Sequence, residues 1–368
     1  PRVALRPRGR GLRSTRGYIP WPLRGRICKA PGSPRSVEVR KARALFFVSV
    51  SLAAGPALEA TAFSSSFSSF GNQNPRESLP TSHFLFTPPT LPPMSRIDSI
   101  FRDLGASGRK ALMPFLCGGY PAPGTVTASL LELERAGASV VEIGIPFSDP
   151  IADGPVIAAA MHEAIGSGCT PATVATEVRQ ARAEGCKLGI VAMVSVSIVW
   201  RIGPEAYFGQ LAAAGFDGLI LPDLTAEESA PWRQAAAAVG LTTSLLIAPT
   251  TSAERAAEIA RACTGFVYVM TRTGITGASQ PVGSTGEVRA GSVGERVRQL
   301  RQFTDLPLAC GFGISSPDQV RQVVVGGGAD AAIVGSALVK RMGEAGKAGK
   351  DAAAEAGVFC RELVAGLK

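Results

Sequence analysis

Short apolar runs alternate with alanine-rich amphipathic segments along the chain from residue 110 onward. Most positions within each apolar run are apolar, which predicts parallel strands that are buried on both faces. Eight strands are predicted, at residues 111–117, 139–145, 187–194, 217–221, 242–247, 266–271, 306–311 and 330–334. A helix is predicted after each strand, at residues 125–136, 173–184, 205–214, 226–239, 253–262, 293–303, 317–325 and 336–342.

Eight strands that are each followed by a helix predict a (β/α)8 barrel, an α/β fold, as a single domain over residues 94–368. Four glycines stand where a helix needs a left-handed residue at its C-terminal end: Gly137, Gly185, Gly215 and Gly240. A doubly wound open sheet is the alternative. It is less favoured because no G-x-G-x-x-G motif follows the first strand.

The positive charge of the chain lies in its first 93 residues, which hold 14 Arg and Lys against three acidic residues. Residues 94–368 hold 24 basic and 26 acidic residues, so this part gives no electrostatic argument for nucleic-acid binding. We interpret residues 1–93 as a low-complexity leader that is disordered or lies upstream of a natural start at Met94. A transit peptide is the alternative. We therefore expect a cytoplasmic protein, or a plastid protein if the leader is a transit peptide.

Seven cysteines without a C-x-x-C motif predict free, mostly buried thiols in a reducing compartment. The apolar run at residues 44–54 is too short to span a bilayer, so no membrane association is expected. The chain has only two histidines, His83 and His162. A histidine-based zinc site or a Ser-His-Asp triad is therefore poorly supported, and His162 is interpreted as a helix surface residue.

The second predicted strand carries a carboxylate, Glu142, within an otherwise apolar run. Alternation places Glu142 on the same face as Val140 and Gly144, and if that face lines the barrel, burial should raise its pKa. Asp149 and Asp153 lie in the loop that follows, at the catalytic end of the predicted barrel. A turn or helix-capping role is the alternative for these two aspartates.

Glycines follow the last two predicted strands, in the sequence GFGIS at residues 311–315 and at Gly335 before Ser336. Barrels often bind phosphate at this place, through backbone amides and a helix N-terminus.

The glycine-rich loop from Arg272 to about Ser292 is either a lid or a mobile connection. Phe115 and Phe312 could hold an aromatic ring and Tyr268 could approach the reacting centre, with core packing as the alternative.

Residues 94–368 resemble the α subunit of tryptophan synthase. The motifs that carry the resemblance are ALMPF at 111–115, VEIGIPFSDPIADGP at 141–155, LPDL at 221–224, YVMTRTGITG at 268–277 and GFGIS at 311–315. The resemblance implies a carbon–carbon lyase of tryptophan biosynthesis that cleaves indole-3-glycerol phosphate into indole and glyceraldehyde 3-phosphate. It implies Glu142 as general acid and base, and Asp153 as the residue that binds the indole N–H. The implied substrate-binding residues are Phe115, Asp223, Tyr268, Thr276, Gly277, Phe312, Gly313, Gly335 and Ser336.

The resemblance further implies that this chain needs neither a metal nor an organic cofactor. Pyridoxal phosphate would be held by a partner β subunit in an α2β2 assembly. The loop at 193–201 departs from the family because it lacks the usual aromatic and Asn residues, and Tyr120 replaces a frequent acid. Three alternatives remain: a stand-alone indole-releasing lyase, a barrel aldolase with Lys110 or Lys187 as Schiff base, and a non-catalytic regulatory subunit.

Overall fold

The fold is described by a computed structural model. All of its described strands run parallel in one sheet, and helices pack outside that sheet. The structure describes residues 94–150, 153–271, 290–311 and 313–368, without the side chains of 290–292. The prediction for the leader, residues 1–93, lies outside this part. The strands are β1 (Ala111–Cys117), β2 (Val140–Gly144), β3 (Gly189–Met193), β4 (Gly218–Ile220), β5 (Thr242–Ser244), β6 (Leu246–Ile247), β7 (Val267–Met270), β8 (Leu308–Gly311) and β9 (Ala331–Val334).

A helix follows most of the strands, and the structure contains several further helices that the sequence pattern did not predict. They are α1 (Arg96–Ala106), α2 (Thr125–Ala136), α3 (Pro155–Gly166), α4 (Pro171–Ala183), α5 (Val196–Ile202), α6 (Pro204–Ala214), α7 (Ser229–Ala238), α8 (Ala253–Ala262), α9 (Ala290–Leu300), α10 (Pro317–Arg321), α11 (Ser336–Lys347) and α12 (Ala352–Val364). A π-helical turn, Gln322–Gly326, continues α10, and a 3-10 turn, Ala365–Leu367, ends the chain. All four predicted left-handed glycines have φ between 79° and 98°.

The strand predicted at 242–247 is divided into two pieces, which corrects the prediction of eight continuous strands. The order β5-β4-β3-β2-β1-β9-β8-β7-β6 places β5 and β6 at the two ends of the sheet. Only Leu245 separates them in the chain, so one chain segment joins the two ends and nearly closes the barrel. At this break the Leu245 amide donates to Cys263 Sγ, at 3.2 Å, and not to a backbone carbonyl. The Leu245 carbonyl accepts from Tyr268 N, at 3.3 Å, in the pairing with β7.

Side chains alternate between the barrel interior and the helix layer, as the sequence predicts for β2. Val140 belongs to the apolar cluster inside the barrel, whereas Val141 and Ile143 belong to the cluster between the strands and the helices. The inside cluster also contains Met113, Val191, Ile220, Phe266, Tyr268, Ala309 and Ile333. Glu142 therefore points into the barrel.

Helix α1 covers the N-terminal end of the barrel, although no pattern predicted it. Its apolar residues Ile97 and Phe101 are buried in the inside cluster, and the rings of Phe101 and Phe266 are 6.1 Å apart. The Ser95 side chain caps the helix by accepting from Asp98 N. Because this end is filled by apolar side chains, polar chemistry inside the barrel is confined to the opposite end.

We expect Gly343→Ala to destabilise the fold by ~1–3 kcal/mol, because an added methyl group would overlap the buried Tyr120 hydroxyl and lie 2.9 Å from Tyr120 Cζ. Urea denaturation measures the loss, and Tyr120→Phe in the same chain should restore part of it. Gly105→Ala is the matched control, because Gly105 is also helical and has no neighbour within 4 Å of an added Cβ. Equal stability of the two single variants would contradict the prediction.

Candidate active site

One cavity at the C-terminal ends of the strands brings together side chains from strands, loops and helices. It is lined by Phe115, Glu142, Asp153, Ile157, Met193, Pro222, Leu246, Tyr268, Gly313, Ile333, Gly335 and Ser336. Seven of the predicted catalytic and substrate-binding residues are in this set. The structure therefore brings these seven residues together at the C-terminal end of the barrel, where the sequence placed the site.

Glu142 lies at the floor of this cavity and is completely buried. Its backbone is in register with Phe115 of β1 and Val191 of β3. Among the described residues, neither of its carboxylate oxygens has a hydrogen-bond partner. Burial raises the pKa of Glu142 to about 8, because the charged form loses its hydration without gaining a partner. The side chain is therefore a protonated acid at neutral pH that can exchange its proton with a bound molecule.

Asp153 lines the same cavity from the loop that leads into α3. Its amide donates to the Pro150 carbonyl at 3.0 Å, so the residue also takes part in a turn. Burial raises the pKa of Asp153 to about 6, and the group remains mainly ionised at neutral pH. Asp149 is exposed, accepts from Ser148 Oγ and does not line the cavity. The two aspartates of the loop thus have different surroundings.

Two of the predicted aromatic residues, Phe115 and Tyr268, lie over glycines at strand ends. A methyl group added to Gly144 would overlap the ring of Phe115, and one added to Gly311 would lie 3.0 Å from Tyr268 Oη. Burial, followed by the negative charges of Glu142 and Asp153, raises the pKa of Tyr268 well above its ordinary value. The Tyr268 hydroxyl is therefore a neutral group beside the two carboxyl groups.

Backbone amides and a helix N-terminus form the side of the cavity that was predicted to bind phosphate. Gly313 has φ +80°, a conformation that favours glycine. Gly335 precedes α11, whose N-terminus has no side-chain cap and no acidic residue in its first turn. Such an N-terminus attracts an anion through its free amides and partial positive charge. Thr276, Gly277 and Phe312, which were predicted to bind substrate, lie outside the described residues. So do residues 272–289 of the predicted lid, which runs from Arg272 to about Ser292.

Asp223 does not line the cavity, although its neighbour Pro222 does. Its carboxylate accepts from Ser195 Oγ at 2.7 Å and from Val196 N at 2.9 Å, at the start of α5. The structure therefore places this predicted substrate-binding residue outside the cavity lining, next to the lining residue Pro222.

Five apolar lining residues were not predicted from the sequence: Ile157, Met193, Pro222, Leu246 and Ile333. Inward alternation near the C-terminal end of a strand marks Met193 and Ile333 and could have found them. Leu246 follows the interruption of the fifth strand, where periodicity gives no such signal. Ile157 is the third residue of α3, in a predicted loop region.

The lysines proposed for a Schiff base lie at the other end of the barrel. Lys110 immediately precedes β1 and pairs with Asp330 at 3.3 Å, whereas the exposed Lys187 precedes β3. The described part of the chain contains no group of three or more His, Cys, Asp and Glu side chains that could hold a metal. None of its helices has the length and apolarity that crossing a membrane requires.

The six cysteines in the described part of the chain are free, and five of them are buried. His162 is exposed.

Comparisons with known proteins agree on one family. The profile of the family "Tryptophan synthase alpha chain" matches residues 101–368. The tryptophan synthase alpha chain of Prochlorococcus marinus is 46% identical over 267 residues, which are 73% of this chain and 93% of the relative. The solved subunit alpha from Legionella pneumophila has a TM-score of 0.66 and 32% identity, over 74% of this chain and 98% of that one. A tryptophan synthase structure from M. tuberculosis has a TM-score of 0.64 and 31% identity, over 75% and 100%.

Proposed function

Because this chain belongs to the tryptophan synthase alpha chain family, we propose that its cavity cleaves indole-3-glycerol phosphate into indole and glyceraldehyde 3-phosphate. One observation carries the proposal: two carboxyl groups of different pKa share a cavity with an uncapped helix N-terminus. The apolar walls suit an indole ring. The amides at Gly313, Gly335 and Ser336 suit the phosphate.

In the proposed reaction, Glu142 moves the proton at both ends of the breaking bond. Its protonated carboxyl group gives a proton to C3 of the indole ring, and the ring nitrogen becomes positively charged. The Asp153 carboxylate accepts a hydrogen bond from the ring N–H and stabilises this charge. The Glu142 carboxylate then takes the proton of the adjacent side-chain hydroxyl. The carbon–carbon bond breaks, its electron pair restores the aromatic ring, and an aldehyde is released.

We expect kcat/KM to be highest between pH values of about 6 and about 8, because Asp153 must be ionised and Glu142 protonated in the free enzyme. Below this range Asp153 gains its proton, and above it Glu142 loses one. Steady-state rates of indole release across this range measure the profile. Asp153→Asn should lower the rate and remove the acidic limb. A profile with no loss on the alkaline side would contradict the role given to Glu142.

We further propose that the chain works with a β subunit in an α2β2 assembly, since solved neighbours include tryptophan synthase structures. Pyridoxal phosphate would belong to that partner. It is bound through a lysine in enzymes, and no lysine is among the described residues that line this cavity. A stand-alone indole-releasing lyase is the second candidate, because the loop at 193–201 departs from the family pattern.

The test is to incubate the full chain with indole-3-glycerol phosphate, with and without a β subunit, and to measure indole and glyceraldehyde 3-phosphate. Equal amounts of the two products are expected, with faster turnover when the β subunit is present. Borohydride with substrate should trap no covalent adduct. Failure to form either product would refute the lyase proposal, and a trapped adduct would support the Schiff-base aldolase. Full activity without any response to the β subunit would favour the stand-alone enzyme.

A further inference from the structure

Two chain segments of the cavity wall are joined behind the cavity by one carboxylate. Met193 ends β3 and lines the cavity, and Ser195 and Val196 follow it at the start of α5. Pro222 lines the cavity from the loop after β4, and Asp223 follows it. The Asp223 carboxylate accepts from Ser195 Oγ at 2.7 Å and from Val196 N at 2.9 and 3.2 Å.

From these contacts we propose that Asp223 is a positioning residue for the substrate pocket, which acts through Met193 and Pro222 without touching the substrate. The inference rests on the proposed function of the same cavity. It specifies how Asp223 supports the pocket, through its hydrogen bonds to Ser195 and Val196 and without contact with the substrate. It also identifies what supports the cavity wall at Met193, where the loop at 193–201 lacks the residues usual in the family.

The Asp223 carboxylate, with its hydrogen bonds from Ser195 Oγ and Val196 N, forms a clamp between two loops. Val196 N is the first amide of α5 and has no partner within its own helix, so a carboxylate from another loop can satisfy it. Ser195 Oγ donates to Asp223 and accepts from Ser197 N at 3.2 Å, so the hydroxyl group links the carboxylate to the helix cap. A turn in which Leu224 N donates to Leu221 O, at 3.2 Å, holds Pro222 and Asp223.

The position of the clamp determines which kinetic constant it should affect. Met193 and Pro222 offer the substrate apolar contacts, which are the same before and during bond cleavage. Losing uniform contacts raises KM and leaves kcat almost unchanged. Asp223 is exposed and its partners are neutral, so the folding stability of the chain should change little.

The experiment is a double-mutant cycle on the full chain with Asp223→Ala, Ser195→Ala and the double variant. We expect Asp223→Ala to raise KM about tenfold with kcat within about twofold, a change the size of a lost hydrogen-bonded clamp. Ser195→Ala should raise KM in the same direction, and the double variant should resemble Asp223→Ala alone. Asp223→Asn should recover most of the affinity, because an amide can still accept from Val196 N and donate to Ser195 Oγ.

Asp351→Ala is the matched control. Asp351 caps α12 by accepting from Ala353 N at 2.9 Å and Ala354 N at 3.1 Å, outside the cavity lining. This variant should leave KM unchanged. The positioning role is overturned if Asp223→Ala leaves KM unchanged, if Ser195→Ala has no effect, if the single effects multiply in the double variant, or if Asp223→Asn is as impaired as Asp223→Ala.

Binding of 3-(indol-3-yl)propyl phosphate, which lacks the hydroxyl groups needed for cleavage, separates this inference from the proposed function. Its Kd should rise in the same variants by the same factors as KM. A wild-type chain that binds this compound but cleaves nothing would refute the lyase proposal, and the Kd ratios would still test the clamp. A wild-type chain that neither binds nor cleaves would overturn both.

Discussion

Replacing Glu142 by Gln is expected to slow cleavage of indole-3-glycerol phosphate by at least ~100-fold, the usual contribution of a positioned acid–base group. Gln keeps the shape and the neutral charge that Glu142 has below its pKa of about 8, so the pocket should keep its form. It cannot give or take the proton. The Kd of 3-(indol-3-yl)propyl phosphate should therefore stay close to the wild-type value while kcat falls.

Asp149→Asn is the matched control for this variant. Asp149 lies in the same β2–α3 loop region as Asp153, but it is exposed and does not line the cavity. It should keep the wild-type kcat. Normal turnover by Glu142→Gln would remove Glu142 from the mechanism, whereas a parallel loss of analogue binding would show that the substitution had damaged the pocket.

The second large effect is on stability, where Glu142→Gln should be more stable than the wild type at alkaline pH. The pKa of Glu142 rises from 4.5 to about 8 on folding, so the folded chain binds more protons than the unfolded chain between these values. The free energy of unfolding of the wild type therefore decreases as the pH rises through this window. The amide of the variant does not titrate, so its stability advantage should grow to several kcal/mol, on the order expected for this shift.

Urea denaturation of both proteins at several pH values measures this difference. Asp153 also has a raised pKa, of about 6, but it is present in both proteins and largely cancels from the comparison. The two proteins should have similar stability well below pH 4.5, where Glu142 is protonated in both the folded and the unfolded chain. The difference should stop growing above about 8. A difference that does not change with pH would show that Glu142 is not desolvated in the folded chain.

A destabilising buried acid at the centre of the proposed site is consistent with its function. Its two oxygens lack partners among the described residues, so the free chain gains no hydrogen bond from keeping it. A hydrophobic residue or Gln would fold more favourably. The acid is useful only in the reaction, because the same desolvation that destabilises the fold keeps a carboxyl group protonated near neutral pH.

The sequence by itself determined the barrel class, the strand face that Glu142 shares with Val140, and the glycines that end four helices. These features depend on local physics. The two-residue period of a strand fixes the face of Glu142 relative to Val140 and Val141, and a left-handed backbone favours glycine at Gly137. The apolar runs also gave the strand bounds to within a few residues, because a parallel strand is buried on both faces.

Only the tertiary structure decided which strand ends meet across the barrel. The break at Leu245, the plug formed by α1 and the apolar wall with Met193 and Leu246 all depend on neighbours distant in the chain. The role of Asp223 is decided in the same way, since its partner Ser195 lies 28 residues earlier in the sequence. Local patterns carry no information on such pairs, because barrel closure and side-chain packing bring them together. The pKa values of Glu142 and Asp153 likewise follow from this packing, which buries Glu142 completely and Asp153 less completely.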